Sequence, residues 1–101
     1  MYIDFNQLSE NSRLWVYGSS RIIQESDKVE IHNIIVPFLE KWNHHGKALT
    51  CSYTIINNHF LIVGLDESIN PTGGCSVDGL QKIILEIDHN FAFNLFERLN
   101  V

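Results

Sequence analysis

Apolar residues recur at helical spacing in two separate stretches of the chain, and strand-like runs lie before and between them. The first stretch has apolar side chains three or four residues apart, at Ile31, Ile34, Ile35, Phe38, Leu39 and Trp42. The second stretch has them at Val77, Leu80, Ile83, Ile84, Ile87 and Phe91. Such spacing gathers the apolar side chains on one side of a helix, which must then pack against another layer. The pattern therefore predicts two amphipathic helices on a common core.

Three other runs are typical of strands. Residues 13–17 are β-branched and aromatic with large side chains on both faces, which predicts a central strand. Residues 49–56 alternate as a half-buried strand does, and residues 59–65 are apolar on both faces. Asn57 and Asn58 between them tolerate positive φ and predict a tight hairpin turn. The order of strand, helix, strand, strand and helix predicts an α+β, ferredoxin-like fold, in which a split β-α-β antiparallel sheet carries two helices on one face.

Capping residues predict where the first helix begins and ends. Asp27, with Glu30 three residues later, predicts the N-cap. Pro37 removes one backbone donor and should bend this helix, although the apolar stripe continues through it. Gly46 is typical of the residue just after a helix, with His44 and His45 in the last turn, where they favour the negative end of the dipole. Adjacent histidines on a helix point about 100° apart, so this pair does not predict a chelating site.

Size and charge narrow the class of protein. The chain has 101 residues, 45% of them hydrophobic and 19% charged, which predicts a single globular domain over residues 1–101. The net charge of −5 argues against binding to nucleic acid or to an anionic membrane, since both need clustered Lys and Arg. No apolar stretch approaches the roughly 18 residues that cross a bilayer, and the N-terminus lacks the pattern of a signal peptide. Two cysteines without a CxxC pair argue against zinc and favour a cytoplasmic protein with reduced thiols.

The segment of residues 66–78 carries the candidates for chemistry. Ser76 is the predicted N-cap of the second helix, and Cys75 beside it would have a lowered thiol pKa because the helix dipole favours thiolate. Cysteine catalysis also needs a base, usually a histidine, and His44, His45, His59 and His89 are available without a family-specific spacing to Cys75. The candidate catalytic residues are Cys75, His45 and Asp66. The alternative is that Cys75 is a small apolar residue that packs the start of the helix.

Three carboxylates in the same segment are candidate metal ligands. Asp66 and Glu67 follow a strand and Asp78 opens a helix, so their oxygens could bind a divalent cation or act as an acid/base pair. The alternative is ordinary surface chemistry, in which Asp66 and Glu67 end the strand and Asp78 complements the helix dipole. No cofactor is predicted.

Five short segments together resemble a known family. They are residues 13–17, 42–46, 58–60, 74–78 and 95–101, and with them the resemblance covers nearly the whole chain. The chain resembles a family of small uncharacterised proteins from Bacteroidetes-type bacteria, whose members are often labelled ABC-transporter ATPases. The resemblance implies no established activity and no functional residue. Members tend to run on past the point where this chain stops, so we expect either a short member or the N-terminal part of a longer protein.

The residues of this chain do not match the motif that the ATPase label requires. A Walker A loop needs a Lys that reaches the phosphates and a hydroxyl that binds Mg²⁺ after its second glycine. Gly74 and Gly79 have the required spacing, but Leu80 and Gln81 follow them. We therefore predict that this chain is not an ATPase.

The function predicted from the sequence is a non-enzymatic one. We expect an intracellular binding, regulatory or self-association module whose partner is a protein, most simply a second copy in a homo-oligomer. The alternative is a thiol-dependent enzyme or redox protein built on Cys75. A third reading is a small-molecule sensor with its ligand in the 66–78 segment.

Overall fold

The protein is an α+β structure of two long helices and a mostly antiparallel sheet. A computed structural model describes residues 1–44, 46–66 and 74–91, with the backbone alone at 74–76 and 91. Its elements, after a short 3-10 turn at Phe5–Gln7, are β1 (Arg13–Gly18), α1 (Glu25–Lys41), β2 (Asn43–His44), β3 (Lys47–Ala48), β4 (Cys51–Ile56), β5 (Phe60–Leu65) and α2 (Gly74–Phe91).

The main sheet has β5 at its centre. β1 and β4 both pair antiparallel with β5, so that Trp15 and Tyr53 lie on either side of Val63. Asn57 and Asn58 have φ of 54° and 57°, which confirms the predicted turn between β4 and β5. The prediction that β1 is buried on both faces is wrong. Within the described residues it pairs with β5 alone, and its Leu14 is 50% exposed because neither described helix covers that face.

One face of the sheet and both helices enclose the core. Side chains alternate between the faces of a strand, so Trp15, Tyr17 and Val63 share the face that the helices cover. The Tyr17 hydroxyl accepts a hydrogen bond from Nε2 of Gln81 on α2 at 3.3 Å. The buried apolar residues of this core are Trp15, Tyr17, Ile23, Ile31, Ile35, Leu39, Trp42, Leu49, Cys51, Leu61, Val63, Leu65, Leu80, Ile84 and Ile87.

The two ends of α1 differ from the sequence prediction. The helix begins at Glu25 with Gln24 as N-cap, and Asp27 occupies the third helical position. Asp27 Oδ2 accepts hydrogen bonds from the Gln24 backbone N–H at 2.9 Å and from Arg21 Nη1 at 3.1 Å. The predicted N-cap at Asp27 was therefore wrong by three residues, because the carboxylate reaches back to the cap from inside the first turn. Pro37 lies inside the helix, as predicted.

The chain leaves α1 earlier than the histidines suggested. The helix ends at Lys41, and a small hairpin of β2 and β3 follows. Gly46 has φ of 80° in the turn of this hairpin, and His44 lies in β2. The predicted C-terminal cap at residues 44–46 is therefore wrong, because the positive φ serves a strand turn. At the other helix, α2 already begins at Gly74, so the predicted N-cap Ser76 lies inside it.

Among the described residues, the N-terminal segment covers part of the second face of the sheet. A Cβ at Gly64 would lie 2.6 Å from Leu8 Cδ1 and 3.5 Å from Phe5 Cε1. Glycine at this position therefore lets the 3-10 turn lie directly on β5. Beyond that turn, apolar side chains of the same face stay partly exposed, among them Leu14, Val16, Ile56 and Ile62. We call these four residues the open face.

Candidate functional site

The residues that the sequence singled out do not form a described site. Cys75 lies in the first turn of α2 but its side chain is outside the described part of the chain, as are His45 and Glu67. Asp66 is half-buried after β5, and Asp78 is exposed on α2. Within residues 1–44, 46–66 and 74–91, no three metal-ligating side chains come together.

The buried thiol of the described structure is Cys51, at the start of β4. It is free and fully buried, and its Sγ donates a hydrogen bond to the Leu39 backbone carbonyl at 3.3 Å. Burial raises the pKa of this thiol to about 11, because the thiolate would lose its hydration. Since the thiolate is the nucleophile, Cys51 is a core residue and not a reactive one.

A cleft lies beside the outer edge of β4, where the first half of α1 and the N-terminal segment meet it. Its volume is about 270 Å³, and its walls are Tyr2, Lys28, Tyr53, Thr54 and Ile55. Thr54 points to the opposite face of the sheet from its two neighbours. A cleft that contacts all three consecutive residues must therefore run along the edge of the strand, over its backbone.

Aromatic rings form one end of this cleft. The rings of Tyr2 and Tyr53 are stacked, with centroids 6.2 Å apart and planes at 28°. His32 on α1 joins them, since its Nδ1 lies 2.7 Å from the Tyr53 hydroxyl oxygen. On the helix side, Lys28 Nζ donates to Glu25 Oε1 at 2.9 Å while the Lys28 stem lines the cleft. The cleft therefore offers flat apolar surface together with hydroxyl groups.

Both tyrosine hydroxyls of the cleft stay protonated at neutral pH. Burial, followed by the neighbouring Tyr2, raises the pKa of Tyr53 to about 12. Burial also raises the pKa of Tyr2, and the carboxylates of Asp4 and Glu40 add to this shift. A neutral phenol is a hydrogen-bonding group and a stacking surface, and neither ring is prepared to act as a base near pH 7.

The backbone of β4 is open along the cleft. The Cys51 N–H donates to the Met1 carbonyl at 3.0 Å, and the Ile3 N–H donates to the Cys51 carbonyl at 2.9 Å. The outward groups of an edge strand alternate with those that face its neighbour, so the N–H and C=O of Tyr53 and Ile55 also point outward. In the described chain these four groups have no backbone hydrogen-bond partner on that side. The N-terminal segment thus pairs with one part of the edge and makes no backbone hydrogen bond with the next part.

Sequence reasoning missed most of this site. Tyr53 belongs to the predicted half-buried strand of residues 49–56, and it is half-buried. Tyr2, Lys28 and His32 were not singled out. The available signal was the spacing of Lys28 and His32, four residues apart on the polar side of α1, which places both over the same strand.

No described helix is long and apolar enough to cross a membrane. The chain matches no protein-family model, no curated protein and no solved structure at a significant level.

Proposed function

We propose that this chain is a non-enzymatic binding and regulatory module that associates weakly with a second copy of itself. The observation that carries the proposal is the open face. Leu14 on β1 and Ile56 on β4 are 50% and 42% exposed, and Val16 and Ile62 connect them across the sheet. A contiguous apolar surface of this kind is a common mark of an interaction site.

The size of the open face sets the strength of the association. Three strands about 4.8 Å apart and about 20 Å long present roughly 300 Å² on one whole side, and the open face is smaller than this because the N-terminal segment covers part of the side. A stable complex buries about 800 Å² on each partner. We therefore propose a concentration-dependent dimer, in which two sheets pack face to face and the helices lie outside.

The titratable groups of the described site support a role in binding. The pKa values of Tyr53 and Cys51 are raised to about 12 and about 11. Catalytic bases and nucleophiles at neutral pH need values that move toward 7. The groups at the cleft and in the core are therefore suited to contact and packing.

Sedimentation equilibrium over a range of concentrations tests the self-association. The double variant Leu14→Ser/Ile56→Ser should stay monomeric at concentrations where the parent chain dimerises. Its matched control is Val29→Ser/Leu85→Ser, since these side chains are 62% and 58% exposed on the helices. A parent chain that has monomer mass at every concentration would contradict the proposal, as would equal effects of the two double variants.

We also propose that the fold is ferredoxin-like. The strand order supports this, because β1 and β4 run parallel to each other with β5 antiparallel between them, and α1 connects the two outer strands. That is the arrangement of a split β-α-β unit. An experimental structure that shows a fourth strand on the outer side of β1 would support the complete fold, and a different element there would contradict it.

A cytoplasmic location and membership of the Bacteroidetes-type family complete the proposal. Cys51 is free in the core, which suits a compartment where thiols stay reduced. Detection of the native protein in fractionated cells tests the location, and recovery from the secreted fraction would contradict it.

A further inference from the structure

We infer that the cleft beside β4 binds an extended peptide, which adds to the sheet edge at Tyr53–Ile55 and places one apolar or aromatic side chain in the cleft, against the stacked rings of Tyr2 and Tyr53. This inference rests on the proposed binding role and names the class of partner. It concerns a different surface from the open face. Strand addition of this kind takes its affinity from main-chain hydrogen bonds and its specificity from a pocket for alternate side chains.

The first support is that this edge already accepts an extended segment. Tyr2 pairs in parallel with Cys51, through the two hydrogen bonds between the Cys51 backbone and the backbone of Met1 and Ile3. The strand therefore has the twist and exposure needed for one more neighbour. Two residues further along, the outward N–H and C=O groups of Tyr53 and Ile55 offer the same ladder.

The second support is that a side-chain pocket lies beside those backbone groups. The cleft of about 270 Å³ is lined by Tyr53 and Ile55 themselves, with Tyr2 and the Lys28 stem across from them. Side chains of a peptide on this edge alternate between the two faces of the sheet. Those on the helix side would enter the cleft, where the phenol faces and the Lys28 methylenes provide apolar contact.

The geometry favours a short peptide over a second β4 strand. A twofold pairing of two β4 strands that uses the outward groups of both Tyr53 and Ile55 places the second copy opposite Cys51. The Met1–Ile3 segment already lies there. On the other side, the turn at Asn57–Asn58 ends the strand. The available edge therefore suits a segment of a few residues that is not attached to a hairpin.

The test uses fluorescein-labelled heptapeptides with blocked termini, each made of threonine with one variable central residue. Fluorescence anisotropy with the whole chain measures their affinity. The peptide with central phenylalanine should bind about tenfold more tightly than the one with central serine, as expected for partial burial of a large apolar side chain. Equal affinities, or no binding of either peptide up to about 1 mM, would overturn the inference.

Backbone methylation of the peptide tests strand addition without changing the protein. Methyl groups on alternate amides block one hydrogen-bonding edge of the peptide, and the complementary set blocks the other. One set should weaken binding about tenfold or more, since two hydrogen bonds are lost, and the other should leave it nearly unchanged. Equal effects of the two sets would overturn strand addition even if the preference for phenylalanine remained.

Protein variants place the peptide in the cleft. Tyr2→Ser should remove the preference for phenylalanine over serine, and Leu85→Ser on the exposed side of α2 should keep it. A preference that survives Tyr2→Ser would contradict the assigned pocket. The sedimentation experiment on the open face is independent of these results. A dimer without peptide binding rejects this inference alone, and peptide binding by a strict monomer rejects the self-association instead.

Discussion

The two faces of the sheet come from alternate residues of the same three strands, yet they meet different surroundings. On one face, Tyr17, Leu61 and Val63 lie under both helices and are fully buried. On the other, Gly64 and Ser52 lie close to the N-terminal segment, and the open face continues beyond them. The comparison shows that strand composition alone does not decide burial, because Leu14 and Ile62 are as apolar as the residues of the core. The position of the helices decides it.

The largest expected difference between the faces is the cost of removing an apolar side chain. Leu61→Ala should lower the free energy of unfolding by about 2–5 kcal/mol, because it opens a cavity in the closed core. Ile62→Ala, on the next residue and the open face, should cost only about 1 kcal/mol. Urea denaturation of both variants measures the two values. Similar losses would show that the second face is as closed as the first.

Alkaline pH should lower the free energy of unfolding, because Cys51 is buried in the core on the face that the helices cover. The thiol has a pKa of about 11 in the folded chain and 9.0 as its ordinary value. Below pH 9 both states keep the proton, so the stability is fully present. Between pH 9 and 11 the unfolded state loses the proton first, and stability should fall by at most about 1.4 kcal/mol per pH unit. Denaturation at pH 8, 9 and 10 measures this loss, and Cys51→Ala should show a flatter profile over the same range.

Gly64 tests how closely the N-terminal segment lies on the second face. Gly64→Ala should cost about 1 kcal/mol, because the new methyl group displaces the end of the Leu8 side chain. Leu8→Ala should remove most of that additional cost when the two changes are combined. A double-mutant cycle by thermal denaturation gives the coupling between them. Additive effects would mean that residue 64 does not contact Leu8.

The smallest expected effect is a gain in stability, at Ser52 on the second face. The Ser52 hydroxyl is buried without a hydrogen-bond partner in the described chain. Ser52→Ala should stabilise the fold by about 0.5–1 kcal/mol, because a buried unpaired hydroxyl costs more than the small space it leaves. Thr54→Ala, on the same face and half-buried, is the control and should show no gain. A loss of stability in Ser52→Ala would indicate that the hydroxyl is satisfied.

The sequence predicted the two helices and the β4–β5 hairpin because their signals are local. Spacing of three and four residues located both helices, and Asn57–Asn58 located the turn. The ends were less predictable, since a cap depends on which backbone N–H groups the side chain reaches. An aspartate such as Asp27 is favoured both at the N-cap and at the third residue of a helix, so the residue type does not distinguish the two positions. In the structure it is the third residue of α1.

The cleft depends on contacts that no local pattern contains. Tyr2 and Tyr53 are far apart in the chain, and they stack because the N-terminal segment pairs beside Cys51. The same holds for His32 and Tyr53, which meet only when α1 lies over β4. Sequence reasoning could identify these residue types, but it could not identify which strand would lie beneath each helix turn.

The pairing of Met1–Ile3 with β4 also bears on solubility. An exposed sheet edge can pair with strands of other molecules and so start aggregation. The N-terminal segment shortens that template to the stretch around Tyr53 and Ile55. Any alteration that lifts the segment, such as a bulky fusion or a charged residue in place of Tyr2, would lengthen the exposed edge and make concentrated solutions prone to fibrillar precipitation.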